Sequence, residues 1–414
     1  MSRLQPVRGT HDLLPPQQRR HRHVADTARR IAALYGYGEI ATPIFEFSEV
    51  FRRTLGDTSD IVTKEMYTFE DRGGEELTLR PEATAGIARA FISGGLSQLL
   101  PLRVFCQGPM FRYERPQKGR LRQFHQIDVE VLGIAEPFAD IEVIALGAHI
   151  LAALGVDDQV TLRLNTLGDR DSRAAYRTVL VAYLQDHRDR LSEDSRERLA
   201  RNPLRVLDSK DDGDRAVIAG APQFPEHLTS AAADFFAELR AGLDDLGIAY
   251  TLDSRLVRGL DYYCHTAFEF VTEALGAQGA VIAGGRYDGL IAAMGGPPTP
   301  GIGWAGGIER LAMLTDEPPA PDRPVALIPI GGAAESQARR LAERLRRAGI
   351  AVDLGHRGNP SRRLKRANKI RARVAVLIGE DEIARGAATV RDLDSGEQRE
   401  MPFDGLVGHL SGEG

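Results

Sequence analysis

GPMFRYERPQKGRLRQFHQIDVEVLG, the segment Gly108–Gly133, joins an aromatic and basic half to an apolar and acidic half through a Pro-Gln-Lys-Gly stretch. Proline and glycine are typical of a turn, and the alternation that follows is typical of a strand. We therefore predict two antiparallel strands joined by a basic loop. The loop and its flanks carry five cations and three aromatic rings: Arg112, Arg115, Lys118, Arg120, Arg122, Phe111, Tyr113 and Phe124. Because guanidinium groups pair bidentately with phosphate oxygens, this composition favours a nucleotide or nucleic-acid site over an exposed hairpin with solubilising arginines.

The rest of the first 315 residues mixes helical and strand patterns without strict alternation. Helices are predicted over Gln17–Tyr35, Pro81–Phe91, Phe138–Leu154 and Arg170–Leu191, and short strands over Arg103–Gln107, Ile127–Leu132, Val160–Leu164 and Ala267–Val271. No glycine-rich turn follows the first strand, so the pattern favours an α+β core on an antiparallel sheet over a doubly wound parallel sheet. The polar stretch Arg196–Pro225 is interpreted as irregular and as part of an insertion over about 170–225.

A proline-rich linker, Asp316–Pro324, separates this core from a small C-terminal domain. Its four prolines in nine residues cannot lie inside a helix or a central strand. The sequence beyond it predicts an α/β domain with strands and one helix at Val325–Ile330, Glu335–Ala348, Ile350–Leu354 and Val374–Ile378. We therefore expect two domains, over 1–320 and 321–414.

Charge is unevenly distributed along the 414 residues, whose formal net charge is −5. Residues 322–414 hold 17 basic and 13 acidic side chains, a net +4, so the remainder carries −9. Within that tail, Arg339–Arg373 holds 13 basic residues against Glu343 and Asp353. Such a one-signed run favours a face that binds the phosphates of a nucleic acid over an ordinary solvated helix face.

The cysteine count and the hydropathy pattern exclude several classes of protein. Cys106 and Cys264 lie far apart without a C-x-x-C pattern, which disfavours a disulfide framework and a thiolate zinc site. The N-terminus lacks the apolar stretch of a signal peptide, and no apolar run reaches the ~18 residues that span a bilayer. We therefore predict a soluble cytoplasmic protein that has no membrane segment.

Two segments place a charged residue next to a turn. In Leu77–Ala85, LTLRPEATA, Arg80 and Glu82 flank a proline at a strand-to-helix transition, and this motif taken alone is better explained by Glu82 as an acid in the first turn of a helix. In Leu256–Phe270, LVRGLDYYCHTAFEF, Arg258 beside a glycine is suited to reach a bound anion. The alternative for this second segment is a hairpin with aromatic cross-strand packing.

Glycine-rich segments follow at Gly284–Leu290, GGRYDGL, and Gly301–Arg310, GIGWAGGIER. The second matches G-x-G-x-x-G, but a proline-rich loop precedes it and the acidic residue expected ~20 positions later is absent, so we reject a dinucleotide site. We expect instead a strand whose backbone a flat ligand can approach, followed by a helix that carries Arg310. The sequence has no P-loop and no H-E-x-x-H metal motif, and His21 and His23 on a charged helix are expected to be solvent-exposed.

Together these segments resemble the bacterial histidyl-tRNA synthetases, which are class II aminoacyl-tRNA synthetases. The matching motifs are RGTHDLLP at Arg8–Pro15, the motif 1 region Tyr35–Phe51 with Pro43, RPEAT at Arg80–Thr84, motif 2 at Gly108–Gly133, LVRGLDYY at Leu256–Tyr263, GGRYDGL at Gly284–Leu290 and motif 3 at Gly301–Arg310. The resemblance spans nearly the whole chain. It implies that the antiparallel core, flanked by helices, is a catalytic domain over 1–320 and that the C-terminal α/β domain over 321–414 binds the anticodon.

Seven positions match the family's histidine pocket: Glu82, Thr84, Gln126, Glu130, Tyr262, Tyr263 and Tyr287. The resemblance implies that the first three bind the α-amino group of histidine. The carboxylate of Glu130 and the hydroxyl of Tyr263 would bind the two imidazole nitrogens, and Tyr262 and Tyr287 would line the pocket.

Arginines dominate the positions that match the family's ATP and tRNA sites. The resemblance implies that Arg112 binds the α-phosphate of ATP, that Arg310 binds the γ-phosphate, and that Arg120 also faces the phosphates. Arg258 would lie between the histidine carboxylate and the α-phosphate, so Arg112 and Arg258 are the expected catalytic residues. The tRNA acceptor end would meet two residues of the motif 2 loop: Arg115 and Gln117.

The implied activity is that of a histidine–tRNA ligase, whose partners are L-histidine, ATP with Mg²⁺ as a substrate complex, and histidine tRNA. We expect no tightly bound prosthetic group, no metal held by a protein motif, and a homodimer, because motif 1 forms the dimer interface in this class. The alternative is a non-catalytic paralogue that serves as a regulatory subunit of ATP phosphoribosyltransferase. Such paralogues usually lack the basic tail and lose active-site residues. The basic tail and the active-site residues are both present here.

Overall fold

The computed structural model describes residues 4–55, 61–117, 119–201, 203–256, 262–276, 279–355 and 357–411. Two positions of predicted function, Lys118 and Arg258, lie outside these ranges. The chain divides into two compact units, Met1–Pro318 and Pro319–Gly414. No helix in the described ranges is both long enough and apolar enough to cross a membrane.

A large, mostly antiparallel sheet organises the first unit. The strands of the unit are β1 (Gly38–Glu39), β2 (Phe45–Phe47), β3 (Tyr67–Glu70), β4 (Glu76–Leu79), β5 (Leu102–Phe111), β6 (Gln123–Leu132), β7 (Thr161–Thr166), β8 (Tyr250–Leu252), β9 (Cys264–Val271), β10 (Ala280–Arg286) and β11 (Gly301–Gly307). The large sheet has the order β1-β5-β6-β11-β10-β9-β7-β8, with parallel pairing at β1–β5 and β7–β8. Strands β2, β4 and β3 form a smaller antiparallel sheet. The predicted α+β core on an antiparallel sheet is confirmed.

Helices cover one face of the large sheet, and the other face holds a cavity together with an apolar contact between Ala83, Ile87 and the sheet. The helices of the unit are α1 (Pro15–Leu34), α2 (Ser48–Leu55), α3 (Thr84–Ser93), α4 (Pro137–Ala153), α5 (Arg170–Asp186), α6 (Glu193–Arg201), α7 (Asp212–Ile218), α8 (Ser230–Asp245), α9 (Leu290–Ala293) and α10 (Ile308–Leu314). Apolar residues of α1, α4 and α8 form one buried core with the sheet. In α1 these residues recur at the helical spacing of Val24, Ala28 and Ile31, which explains why this segment forms an amphipathic helix.

Strand β6 presents different chemistry on its two faces because successive side chains of a strand point in opposite directions. Ile127, Val129 and Val131 belong to the buried core. Gln126 and Glu130 alternate with them and therefore lie on the opposite face. Strand β6 pairs with β5 on one side and β11 on the other, so this polar face lies in the interior of the sheet.

The insertion is more ordered than its polar composition predicts. The expectation that Arg196–Pro225 is irregular was wrong, because α6 and α7 lie within or across this stretch. Apolar residues of α5 and of the segment after it pack into a small core: Tyr176, Leu180, Leu184, Leu191, Leu199, Val206, Val217, Ala221 and Phe224. The Asp211 carboxylate accepts hydrogen bonds from the N–H groups of Gly213 and Asp214, which fixes the start of α7.

The second unit contains a mixed five-stranded sheet in its described part. Its elements are β12 (Val325–Pro329), α11 (Gly332–Arg347), β13 (Val352–Leu354), α12 (Pro360–Lys369), β14 (Val374–Ile378), α13 (Glu380–Arg385), β15 (Ala387–Asp392), β16 (Gln398–Pro402) and α14 (Leu406–Leu410). Strands β13, β12 and β14 are parallel, and β15 and β16 extend the sheet in antiparallel fashion. The predicted α/β domain is confirmed, although β15 and β16 were not anticipated.

Candidate active site

A cavity of about 230 Å³ lies on the polar face of the large sheet. Nine of the predicted site residues line it: Glu82, Thr84, Arg112, Arg120, Gln126, Tyr262, Tyr263, Tyr287 and Arg310. They come from the start of α3, the β5–β6 hairpin, the segment before β9, the end of β10 and the start of α10. Segments far apart in the sequence thus converge on one site.

Strand registry gives the cavity two chemically different ends. On β6, Phe124 and Glu130 are six residues apart, or about 20 Å at ~3.3 Å per residue. The antiparallel partner β11 places Gly303 opposite Glu130 and Gly307 opposite Gln126. Since α10 follows β11 directly, Arg310 lies near the beginning of β6. We call the residues Glu82, Thr84, Glu130 and Tyr287 the carboxylate end, and the residues Arg112, Arg120 and Arg310 the arginine end.

Glu130 is not among the residues that line the cavity, but it lies directly behind Thr84 and Tyr287, which do. Its side chain is buried and accepts hydrogen bonds from the Thr84 hydroxyl at 2.6 Å and from the Tyr287 hydroxyl. Burial raises the pKa of Glu130 to about 8, although both hydroxyls favour the charged form. Burial also raises the pKa of Tyr287 well above its usual range, which keeps this phenol protonated as a donor. The acid is therefore held in a fixed orientation before any ligand contacts it.

Glu82 has both of the roles that its sequence context suggested. Its carboxylate accepts hydrogen bonds at 2.8 Å from the backbone N–H groups of Thr84 and Ala85, so it caps α3. This cap is the reason that the helix begins at Thr84 and not at Pro81, as the sequence predicted. The same side chain lines the cavity, and burial raises its pKa.

Two glycines of motif 3 make room for the carboxylate end. A Cβ added to Gly303 would clash with the carboxylate of Glu130 and with a backbone carbonyl of β6. A Cβ added to Gly301 would clash with the ring of Tyr287. The glycine-rich strand therefore accommodates the protein's own side chains, and Gly303 additionally lines the cavity.

At the arginine end, three guanidinium groups lie close enough to repel one another. Arg310 donates to the backbone carbonyls of Gly119 at 3.1 Å and Ala280 at 2.6 Å. Burial lowers the pKa of Arg310, and the positive charges of Arg120 and Arg112 lower it further. Such a cluster of cations is suited to bind a polyanion.

The other two arginines of this end are oriented by neighbours. Arg112 donates to the carbonyl of Pro81 at 2.9 Å, and its guanidinium lies over the ring of Phe124 at 5.2 Å. Arg120 forms an ion pair with Glu114, which is itself buried. Burial lowers the pKa of Arg112. Held in this way, the arginine end is positioned by the hairpin without help from a ligand.

Two buried groups on β6 have acceptor capacity to spare. The side-chain oxygen of Gln126 and both carboxylate oxygens of Asp128 have no hydrogen-bond partner among the described residues. Burial, followed by repulsion from Glu130 and Glu82, raises the pKa of Asp128 well above its usual range. Gln126 lines the cavity between its two ends and is suited to accept from a ligand donor.

Two arginines from the sequence motifs support the fold. Arg80 donates to the carbonyl of Pro109 at 2.9 Å and to the carbonyl of Thr42 at 3.0 Å, so it joins three segments. Arg286 of GGRYDGL is fully buried and forms an ion pair with Asp140. Neither arginine lines the cavity, and a motif alone does not distinguish these roles.

Arg115 and Gln117, the two residues predicted to meet tRNA, are exposed on the motif 2 loop outside the cavity lining. Sequence reasoning missed Glu114 and Glu309, two acids that line the arginine end. Each directly precedes an arginine of the motifs, and this adjacency is a signal that could have found them. Arg258, a predicted catalytic residue, lies outside the described residues.

Comparison with known proteins accounts for both units. The sequence profile of the Histidyl-tRNA synthetase family matches residues 9–311, and that of an Anticodon binding domain matches residues 324–413. The chain belongs to the histidyl-tRNA synthetase family. It is therefore a class II aminoacyl-tRNA synthetase, and the family predicted from the motifs is confirmed.

Similar proteins extend over the full length of the chain. A Histidine–tRNA ligase of Rhodospirillum rubrum is 64% identical over 400 residues, which are 96% of this chain and 96% of that protein. A Histidine–tRNA ligase of Gluconacetobacter diazotrophicus is 61% identical over 412 residues, which are 100% of this chain and 99% of that protein. Among solved structures, apo S. aureus histidyl-tRNA synthetase is 32% identical with a TM-score of 0.84, covering 99% of this chain and 100% of that chain. These relatives do not favour the regulatory-subunit alternative.

Proposed function

We propose that this chain is a histidine–tRNA ligase. It condenses L-histidine with ATP to give histidyl-adenylate and pyrophosphate, and it then transfers the histidyl group to the 3′-terminal adenosine of histidine tRNA. The observation that carries this proposal is a single cavity lined at one end by Glu82 and by the two hydroxyls that hold the buried Glu130, and at the other end by three arginines. The full-length similarity to proteins named Histidine–tRNA ligase supports it.

The carboxylate end is proposed to bind histidine. Glu130 accepts a hydrogen bond from one imidazole nitrogen, and the hydroxyl of Tyr263 donates to the other. The α-ammonium group is bound by Glu82, Thr84 and Gln126. The rings of Tyr262 and Tyr287, 5.8 Å apart and nearly perpendicular, are proposed to line the pocket. A different amino acid would leave these buried polar groups unpaired, and such mismatches discriminate by up to ~10⁴–10⁵-fold.

The arginine end is proposed to bind ATP, which enters as its Mg²⁺ complex. Arg112 contacts the α-phosphate, Arg310 the γ-phosphate, and Arg120 the phosphate chain. The histidine carboxylate attacks the α-phosphorus, and the bond to the bridging oxygen breaks as pyrophosphate leaves with the electron pair. The reaction needs no protein nucleophile, so Arg112 and Arg258 act by positioning and by stabilising charge on the α-phosphate.

The remaining assignments concern tRNA, subunits and location. Arg115 and Gln117 are proposed to contact the acceptor end of the tRNA, and we assign 1–320 to catalysis and 321–414 to the anticodon. We also propose a cytoplasmic homodimer. The exposed rings of Phe45 and Phe47, each more than half accessible on β2, support a subunit interface in the motif 1 region.

Histidine-dependent exchange of pyrophosphate into ATP tests the proposal. The purified full-length chain should catalyse exchange with histidine and not with glutamine or phenylalanine, and it should charge histidine tRNA. Absence of exchange with histidine would contradict the ligase proposal and would be the expected behaviour of a regulatory paralogue.

A further inference from the structure

Two imidazoles and a carboxylate from three separate elements meet beside the arginine end. They are His21 of α1, His125 of β6 and Glu309 of α10. One potential ligand atom from each lies within 4.8 Å of the other two. The rings of His21 and His125 meet edge to face with centroids 5.7 Å apart. His21 is thus only partly exposed, and the expectation that it is simply a solvated helix residue was wrong.

Glu309 is held firmly in this cluster. Both of its carboxylate oxygens accept from the backbone N–H of His125, at 3.0 and 2.9 Å. One of them also lies 2.8 Å from Nδ1 of the His125 ring. The Glu309 side chain is 10% exposed and that of His125 is 26% exposed, so the cluster is shielded while remaining open to a small ion. Fixed carboxylates of this kind orient ligands in metal sites.

The chemistry of the three groups suits a borderline-soft metal ion. Neutral imidazole and carboxylate together are typical ligands of zinc, whereas Mg²⁺ prefers an all-oxygen site. Tetrahedral zinc places its ligand atoms about 3.4 Å apart, so side-chain shifts of roughly 1 Å would close the site.

We propose that His21, His125 and Glu309 bind one divalent transition-metal ion, with Zn²⁺ as the best match and water completing its coordination. The ion would tie the N-terminal helix α1 to β6 and to α10, the helix that carries Arg310 of the arginine end. Glu309 also lines the arginine end, so the ion would lie beside the proposed ATP site, and its two imidazole ligands distinguish it from the Mg²⁺ that accompanies ATP. The metal site does not depend on the proposed ligase activity. The sequence shows no metal motif because the three ligands lie far apart in the chain.

Calorimetric titration with ZnCl₂ tests the site. The untagged full-length chain, freed of metal by dialysis against a chelator, is titrated in excess Mg²⁺, which occupies sites made of oxygen ligands. The wild-type chain should bind one equivalent of Zn²⁺, and His21→Gln should bind it at least tenfold more weakly. His23→Gln, two residues along the same helix, is the matched control and should bind like the wild type. A wild-type chain without a one-equivalent site, or equal binding by His21→Gln, would overturn the proposal.

X-ray absorption spectroscopy of the wild-type chain with one equivalent of Zn²⁺ gives a test that needs no variant. The spectrum should contain the multiple-scattering signature of two imidazoles together with oxygen ligands. A spectrum with one imidazole or none would mean that His21, His125 and Glu309 form only a hydrogen-bonded pair with an adjacent ring, and the metal site would be refuted.

Discussion

The two ends of the cavity are built in opposite ways. At the carboxylate end, the protein supplies the hydrogen-bond partners of its own buried acid, because Thr84 and Tyr287 both donate to Glu130. At the arginine end, like charges face one another, and the positive charge of Arg120 and Arg112 disfavours that of Arg310. Glu82 also repels Glu130, and Glu114 pairs with Arg120, so neither end is free of like charges or of partners. The difference is that hydroxyl donors hold the acid at the carboxylate end, whereas three cations are held near one another at the arginine end.

This difference indicates how one cavity handles two substrates. A buried acid that is held by hydrogen bonds, such as Glu130, is suited to discriminate between amino acids. The side chain of a wrong amino acid would have to disrupt the existing hydrogen bonds. Three arginines that repel one another are suited to bind phosphate groups, because the negative charge of a bound phosphate relieves their mutual repulsion. Specificity for the amino acid and affinity for the nucleotide should therefore respond to different substitutions.

The largest effect should come from Arg112→Ala. Removing the guanidinium proposed to stabilise charge on the α-phosphate should lower the rate of ATP–pyrophosphate exchange by ~10²–10³-fold. Arg115→Ala is the matched control in the same hairpin, because Arg115 lies on the exposed loop and is proposed to act only on tRNA. Equal losses of exchange in the two variants would show that the arginine end is not a defined phosphate site.

Gly303→Ala should damage the carboxylate end. The new methyl group would displace the carboxylate of Glu130, so the KM for histidine should rise by about tenfold or more. Gly307→Ala on the same strand is the matched control, since the nearest atom to its Cβ would be a side-chain carbon of Arg310 at 3.8 Å. Similar KM values for the two variants would contradict the close packing of Gly303 against Glu130.

Tyr287→Phe should have a smaller effect in the same direction. It removes one donor from Glu130 and keeps the ring, so histidine should bind roughly tenfold more weakly, as expected for the loss of one buried hydrogen bond of ~1.5 kcal/mol. Equilibrium binding of histidine and of ATP measures this, and ATP affinity should stay at the wild-type value. A loss confined to ATP would place Tyr287 at the wrong end of the cavity.

The last expected effect is on the stability of the chain and not on substrate binding, and it depends on pH. The carboxyl of Glu130 has a pKa of about 8 in the folded chain and near 4.5 when unfolded, so between these values the folded state retains a proton that the unfolded state has lost. Glu130 therefore favours folding below pH 4.5, and this contribution disappears as the pH rises through 8. Glu130→Gln should flatten the fall in unfolding free energy by up to ~1.4 kcal/mol per pH unit in this window. Denaturant titrations at pH 5 to 8 measure it, and an unchanged slope would contradict the raised pKa.

Local patterns predicted the hairpin of β5 and β6, because strand alternation and turn residues act over a few positions, whereas Gln126 and Glu130 on its polar face were predicted only from the resemblance to a family. Resemblance to a family added the expected partners of those residues. Contacts between distant segments were not legible from the sequence. The hydrogen bond between Tyr287 and Glu130 joins residues that are 157 positions apart in the sequence. The motif residue Arg286 is buried and forms an ion pair with Asp140, so it supports the fold. The His21 cluster escaped notice for the same reason, since three elements create it.

Crossed binding measurements on two variants test most directly the claim that the two ends serve different substrates. Titration calorimetry would measure histidine and ATP separately against Glu130→Gln and Arg310→Ala. Glu130→Gln should weaken histidine binding by at least tenfold and leave ATP binding unchanged, and Arg310→Ala should do the reverse. If each variant weakens both ligands to the same extent, the two ends do not act separately and the account is wrong.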